Sequence, residues 1–217
     1  MNLEQARFNM IEQQIRTWDV LDQEILDLLM IVKREAFVPA AYSALTFVDT
    51  EIPLPCGQSM LMPKLEARML QEAAVKKHEH VLEVGTGSGY MAALLAHRAR
   101  HVTSIEIEPE LLALARTNLR NFGIDNVDAI AGDGSSGWSA AAPYDVIMVS
   151  GSLPVLPEQF LQQLKVGGRL VVVIGEAPVM TAQVITRLSD VGYNTVNLFE
   201  TAIKPLRNAI TPSHFHF

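Results

Sequence analysis

Cysteine occurs only once in the chain, as Cys56. No intramolecular disulfide can form, so a disulfide-stapled secreted fold is excluded and a reducing compartment is the natural setting. A lone thiol can serve as a nucleophile, but no strong base motif accompanies this one. No uncharged apolar run approaches the roughly 20 residues that span a bilayer. The opening "MNLEQARFNMIEQQI" lacks the basic-then-apolar layout of a secretory signal. A soluble, cytoplasmic protein is expected. Basic runs are missing as well: 17 Lys and Arg stand against 24 Asp and Glu, a net charge of −7. That balance argues against nucleic-acid binding, whose affinity rests on cations meeting phosphates. There is no internal repeat and no low-complexity segment.

What the chain does have is apolar content. At 217 residues and 49% hydrophobic it can bury a full core as one domain with a small attached layer. Two regions differ in character. Residues 1–75 read as a helical layer with a crossing loop. Leu21, Ile25, Leu28, Leu29 and Val32 share one face at helical spacing, with Asp22 as N-cap and a break at Pro39. "EIPLPCGQSMLMP" is an ordered loop rich in proline, followed by a helix from Lys64 to about Ala74.

Residues 76–217 alternate between strand and helix. "HVLEV", "HVTSIEI", "VDAIAG", "YDVIMVS" and "GRLVVVIG" are short apolar strands. Helices fall from Gly89 to about His97, after Pro109, and over "LPEQFLQQLK". Such alternation implies a doubly wound α/β sheet, mostly parallel and covered on both faces. "AQVITRLS" and "NTVNLFETAI", joined at Gly192, predict a closing antiparallel hairpin.

The turn after "VLEV" reads "GTGSGY". Gly85, Gly87 and Gly89 let the backbone turn tightly and approach a ligand. A dinucleotide fingerprint, G-x-G-x-x-G/A, would need a small residue where Tyr90 stands. Glu83 precedes the first glycine, where it would repel a pyrophosphate and attract a cation. S-adenosylmethionine meets both conditions, being cationic and free of phosphate. Glu106, at the end of the second strand, is placed to accept hydrogen bonds from both ribose hydroxyls. Asp133, in "AGDG" after the third strand, is placed to face the adenine amine.

These motifs and their order resemble the protein-L-isoaspartate O-methyltransferase family. "REAFVPAAY" and "DTEIPLPCGQ" are similar to the family's approach to its active-site loop. "VLEVGTGSGY", "SIEIEPELLALAR", "GDGSSGW", "PYDVIMVSGSLPVLP" and "LKVGGRLVVVIG" resemble its later motifs. The resemblance implies a Rossmann-like methyltransferase sheet and methyl transfer from S-adenosylmethionine to the carboxylate of an isomerised aspartyl residue in a protein or peptide. It implies that Glu83, Gly85, Thr86, Gly87, Ser88, Gly89, Tyr90, Glu106, Ile107, Asp133 and Gly134 hold the cofactor. Ser59 and its loop would present the substrate carboxylate, in a monomer or weak homo-oligomer.

One position departs. The family loop resembles G-x-[TS]-x-S-x-P, and here it reads "GQSMLMP", with Leu61 in place of the second hydroxyl. The departure predicts weak transfer to isoaspartyl peptides, and keeps open another acceptor or cofactor binding alone. Trp138 either walls the adenine pocket or packs in the core. Met30, Met60, Met62 and Met69 read as core filler. His97 and His101 are expected at the surface. His214 and His216 lack the acidic or cysteine partners of a metal site, and no metal is expected.

Overall fold

The computed structural model describes residues 2–211. His214 and His216 lie outside the described residues. The chain opens with α1 (Leu3–Met10), whose first turn is capped by the Asn2 side chain accepting from the amides of Glu4 and Gln5. A π turn at Ile11–Ile15 and a 3-10 turn at Arg16–Trp18 carry it to Asp19, in the left-handed region at φ 61°. The α2 helix (Gln23–Ile31) starts as expected, with the Asp22 carboxylate accepting from Glu24 N at 2.8 Å. Leu21 precedes that cap and stands 67% exposed, so it is not part of the helix's apolar face. The helix also ends well before Pro39. Val32 already has extended backbone, and two 3-10 turns, Arg34–Ala36 and Ala40–Leu45, make the passage instead.

The proline-rich loop is ordered around a short antiparallel hairpin of β1 (Ile52–Pro53) and β2 (Ser59–Met60). Helix α3 (Pro63–Ala73) follows, with proline in its first turn, where its missing N–H costs nothing.

The main sheet holds β3 (His80–Val84), β4 (His101–Glu106), β5 (Val127–Ala131), β6 (Tyr144–Leu153), β7 (Leu164–Glu176), β8 (Val179–Arg187) and β9 (Tyr193–Thr201). Their spatial order is β5-β4-β3-β6-β7-β8-β9. The first five are parallel, and β8 and β9 add antiparallel, as the hairpin prediction requires. Helices α4 (Tyr90–Arg98) and α5 (Pro109–Phe122) connect the parallel strands, and α6 (Glu158–Gln162) is shorter than its sequence pattern predicts.

Alternate strand residues serve two cores. Val81, Val146, Met148, Val171 and Val173 face a thick layer that takes in α1 to α4. Leu82, Ile147, Val149, Leu170 and Val172 face the other side, with Tyr144 and Phe160. That alternation is the two-residue period of a strand covered on both faces. Met60 and Met69 are buried in the first core, with Met30 and Met62 against it. The strand order reverses between β3 and β6, the point where a doubly wound sheet opens a crevice beyond its carboxyl ends. No helix among the described residues is long and apolar enough to cross a membrane.

Candidate active site

A cleft opens at that crevice, where a doubly wound sheet places its ligand. The ends of β3, β4 and β5 supply Gly85, Gly87, Glu106, Ile107, Asp133 and Gly134. Ser150 and Gly151 come from β6, where its pairing with β7 shifts register between Met148 and Ser152. Such a bulge re-aims the strand toward the cleft. Gln58, Ser59 and Leu61 form the opposite wall, so the crossing loop does face the glycine turn. Helices α1 and α2 do not line the cleft and only support the layer beneath the loop.

The Glu106 carboxylate is held from both sides. Its Oε2 accepts from Gly87 N at 2.8 Å and its Oε1 from Glu108 N at 3.0 Å. Each oxygen keeps a further lone pair for a ligand. Asp133 accepts from Ser135 N and from the Asn208 side chain, both at 2.9 Å. The Ser135 amide, first among these contacts, holds its carboxyl below the usual carboxylate range.

Glu83 lies under the floor rather than on the wall. It is fully buried, and its carboxyl takes hydrogen bonds from Ser104 and, at 3.4 Å, from Ser150. Burial pushes its pKa up to about 8, the two hydroxyls lower it, and nearby Glu106 and Glu66 raise it further. It touches the cleft only through Ser150.

A small inner cavity lies between the loop and the glycine turn, lined in part by Leu61, Glu66, Thr86, Ser88 and Tyr90. Thr86 bonds Ser104 at 2.6 Å, and Ser88 offers its carbonyl to Asn118 at 2.9 Å. Tyr90 packs its ring 5.5 Å from that of Phe37, with the Arg34 guanidinium 5.1 Å from its centre. Gly89 is the N-cap of α4, pressed against α5. These two residues thus seat the helix, and neither reaches the main cleft. Arg34 pairs with Glu66 in the interior and donates to the Leu61 carbonyl at 2.7 Å. Burial raises the Glu66 pKa to about 7, against the pull of Arg34.

A third wall has no motif in the sequence. After β9 the chain leaves the sheet, and residues 203–209 return over the crevice as a strap. Ser152 N donates to Lys204 O and Leu206 N to Ser152 O, each at 2.9 Å. Lys204 Nζ reaches Gly57 O at 2.8 Å, and Arg207 reaches Cys56 O and Glu108, both at 2.7 Å. Their charges are thereby committed to the loop and the rim. Trp138 lines neither cavity and packs with the second core over Gly132, where an added Cβ would come within 2.5 Å of its ring. His97 and His101, expected at the surface, are half-buried. No group of ligands for a metal exists among the described residues.

The sequence and the fold have counterparts among known proteins. The family model for protein-L-isoaspartate(D-aspartate) O-methyltransferase matches residues 5–206. The chain belongs to this family. It is 40% identical over 181 residues to the protein-L-isoaspartate O-methyltransferase of Koribacter versatilis, covering 83% of this chain and 82% of the relative. It is 39% identical over 206 residues to protein-L-isoaspartate O-methyltransferase 2 of Marinobacter nauticus, covering 94% of each. Among solved structures, a protein-L-isoaspartate O-methyltransferase superposes with a TM-score of 0.79 at 26% identity, over 94% of this chain and 67% of that one. A Plasmodium falciparum member, solved with S-adenosyl-L-homocysteine, has the same fold, with a TM-score of 0.80 at 19% identity over 93% and 98% of the two chains. As a member, the chain is a methyltransferase that uses S-adenosylmethionine. The matched span ends at Leu206, so the family model extends into the strap.

The residues present fit that cofactor. The cleft floor offers acceptors, namely the Glu106 and Asp133 carboxylates and the Ser150 hydroxyl, to a ligand rich in hydroxyls and amines. Of the rim cations, Arg207 is paired with Glu108 and Lys204 donates to the Gly57 carbonyl. Gly134 lets the wall close tightly, since a Cβ there would meet Val84 at 2.6 Å.

Proposed function

We propose that this chain methylates the free carboxylate of isoaspartyl residues in damaged proteins or peptides. The observation that carries the reading is that Ser59 lines both the main cleft and the inner cavity, across from the glycine turn. A peptide carboxylate reaching Ser59 enters the same space that the cofactor's methionyl end would occupy. In this reading Glu106 holds the ribose, Asp133, Gly134 and Ile107 the adenine side, and Gly85 to Ser88 the methionyl end. Glu83, Gly89 and Tyr90 shape the turn from behind.

The bound cofactor supplies an activated methyl group on a sulfonium. A carboxylate is already the nucleophile at neutral pH, so no general base is needed. The protein's contribution is to align two partners and exclude water. The strap and the loop, bonded to each other, both line the crevice, and Arg34 fixes the loop backbone at Leu61. Spontaneous closure of the product ester to a succinimide then opens a route back to normal aspartate.

The deciding experiment is transfer of a radiolabelled methyl group from S-adenosylmethionine to a synthetic isoaspartyl peptide, beside the same peptide with normal aspartate. Base-labile label in the isoaspartyl peptide alone supports the reading. Equal labelling of both, or of neither, rejects it.

A further inference from the structure

Two hydroxyls flank the acceptor in the family loop pattern G-x-[TS]-x-S-x-P, and in this chain neither is free. One is replaced by Leu61. The other, on Ser59, donates to Glu51 Oε2 at 2.7 Å. The hairpin explains the meeting. Ile52 pairs with Met60 and Pro53 with Ser59, so one further step of that register sets Glu51 across from Leu61, diagonal to Ser59. Glu51 has no cationic partner among the described residues. Its acidic neighbours do: Asp49 pairs with Lys64 at 2.6 Å, Glu108 with Arg207 at 2.7 Å, and Glu66 with Arg34. Glu51 is half-buried beside Ser59, the one loop hydroxyl among the residues lining both cavities.

A carboxylate acceptor arriving at Ser59 therefore meets the field of a second carboxylate just outside both cavities and a hydroxyl that already donates to it. A cation arriving with the acceptor resolves both conflicts. It neutralises Glu51 and lets Ser59 turn its proton to the acceptor. We propose that Glu51 is a specificity residue for the acceptor, binding a Lys or Arg side chain next to the isoaspartyl residue of the substrate. The proposal rests on the isoaspartyl reading above and names the sequence context in which that reaction is efficient.

The test uses three isoaspartyl peptides that differ only in the residue after the isoaspartyl position: Lys, Ala or Glu. With wild-type protein, kcat/KM falls from Lys to Ala to Glu. The Lys and Glu peptides differ by about tenfold, mostly in KM, and added salt shrinks the gap. Glu51→Gln, which keeps an acceptor for Ser59, brings the three within about twofold of one another on the same electrostatic argument. Glu51→Lys reverses the order, which a merely structural role for Glu51 would not do. Thermal melts confirm that both variants fold, and if either does not, the wild-type order and its salt dependence decide alone. Equal use of the three peptides by the wild type overturns the proposal, as does an unchanged order in Glu51→Lys. Transfer to none of them, while S-adenosylhomocysteine still binds, overturns the isoaspartyl reading and this proposal with it.

Discussion

Ser104 donates its hydroxyl proton to the Glu83 carboxyl, and the two sit side by side on β4 and β3, paired in register beneath the cleft floor. Thr86 bonds the same serine, which ties the glycine turn to this buried pair. Among the described residues no cation pairs with Glu83, and the charged groups acting on it, Glu106 and Glu66, are both acidic. Its pKa therefore rises from 4.5 to about 8 on folding. Between those values the folded state binds more protons than the unfolded one, so stability from this group is complete below about pH 4.5 and lost as pH climbs toward 8. One proton corresponds to about 1.4 kcal/mol per pH unit, or roughly 3–5 °C in melting temperature for a chain of this size. Glu83→Gln should flatten the decline. Melting curves from pH 5 to 8 check this, and equal slopes in the two proteins would refute it.

Glu106 is expected to dominate cofactor affinity. It anchors the turn through Gly87 N and keeps lone pairs for ribose hydroxyls. Hydrogen bonds to a charged group are worth roughly 1.5–3 kcal/mol each. Glu106→Ala should weaken S-adenosylhomocysteine by at least about tenfold. Calorimetric titration measures it, and NAD, tested alongside, should not bind detectably to either protein.

How much of this was legible from the residues depended on whether a pattern repeats. Strand ends announce themselves because an apolar run stops at a glycine or an acid, which is why Gly85, Glu106 and Asp133 converge as expected. The strap is invisible by the same logic. "IKPLRNA" has no period, and its role comes from backbone bonds to Ser152 and side-chain bonds to Cys56 and Gly57, far away in sequence. Ser150 was hidden because a bulge, not a motif, turns it into the cleft. Tyr90 sits next to the glycine motif in sequence, yet it opens α4 and faces the N-terminal layer. Leu21 shares helical spacing with core residues, but the Asp22 cap excludes it from the helix. Adjacency in sequence misled where the chain turns.

Gly89 is a glycine whose replacement should be costly in folding, through its backbone as well as its neighbours. Its φ is +86°, and an added Cβ would lie 3.3 Å from the Ala115 carbonyl oxygen and 3.2 Å from Leu119. The left-handed backbone alone costs a side chain about 1–2 kcal/mol. The α5 backbone cannot easily yield, so Gly89→Ala should lose more than that. Denaturant unfolding checks it: a midpoint shift worth less than about 1 kcal/mol would contradict the argument.

Leu61 is where gain of function is expected. Its side chain is 7% exposed and lines both cavities, while its carbonyl is held by Arg34. A serine there would keep that backbone anchor and set a hydroxyl beside the acceptor. Removing an apolar side chain of this burial costs roughly 2–4 kcal/mol, so Leu61→Ser should melt lower than the wild type. The chemistry should move the other way. A donor that acts mainly in the transition state is worth about 10²–10³ in rate when optimally placed. Ser59 is engaged by Glu51, which leaves the new hydroxyl free to donate where the family pattern places one. Leu61→Ser should therefore raise kcat/KM for an isoaspartyl peptide by about tenfold or more, with the increase in kcat. Combining it with Glu51→Gln should keep the gain in kcat and level the peptide preference, because the new hydroxyl acts on the acceptor and Glu51 on its neighbour. Methyl-transfer kinetics on the two single variants and the double decide the matter. An unchanged kcat in Leu61→Ser would mean that loop amides already do the work of the missing hydroxyl.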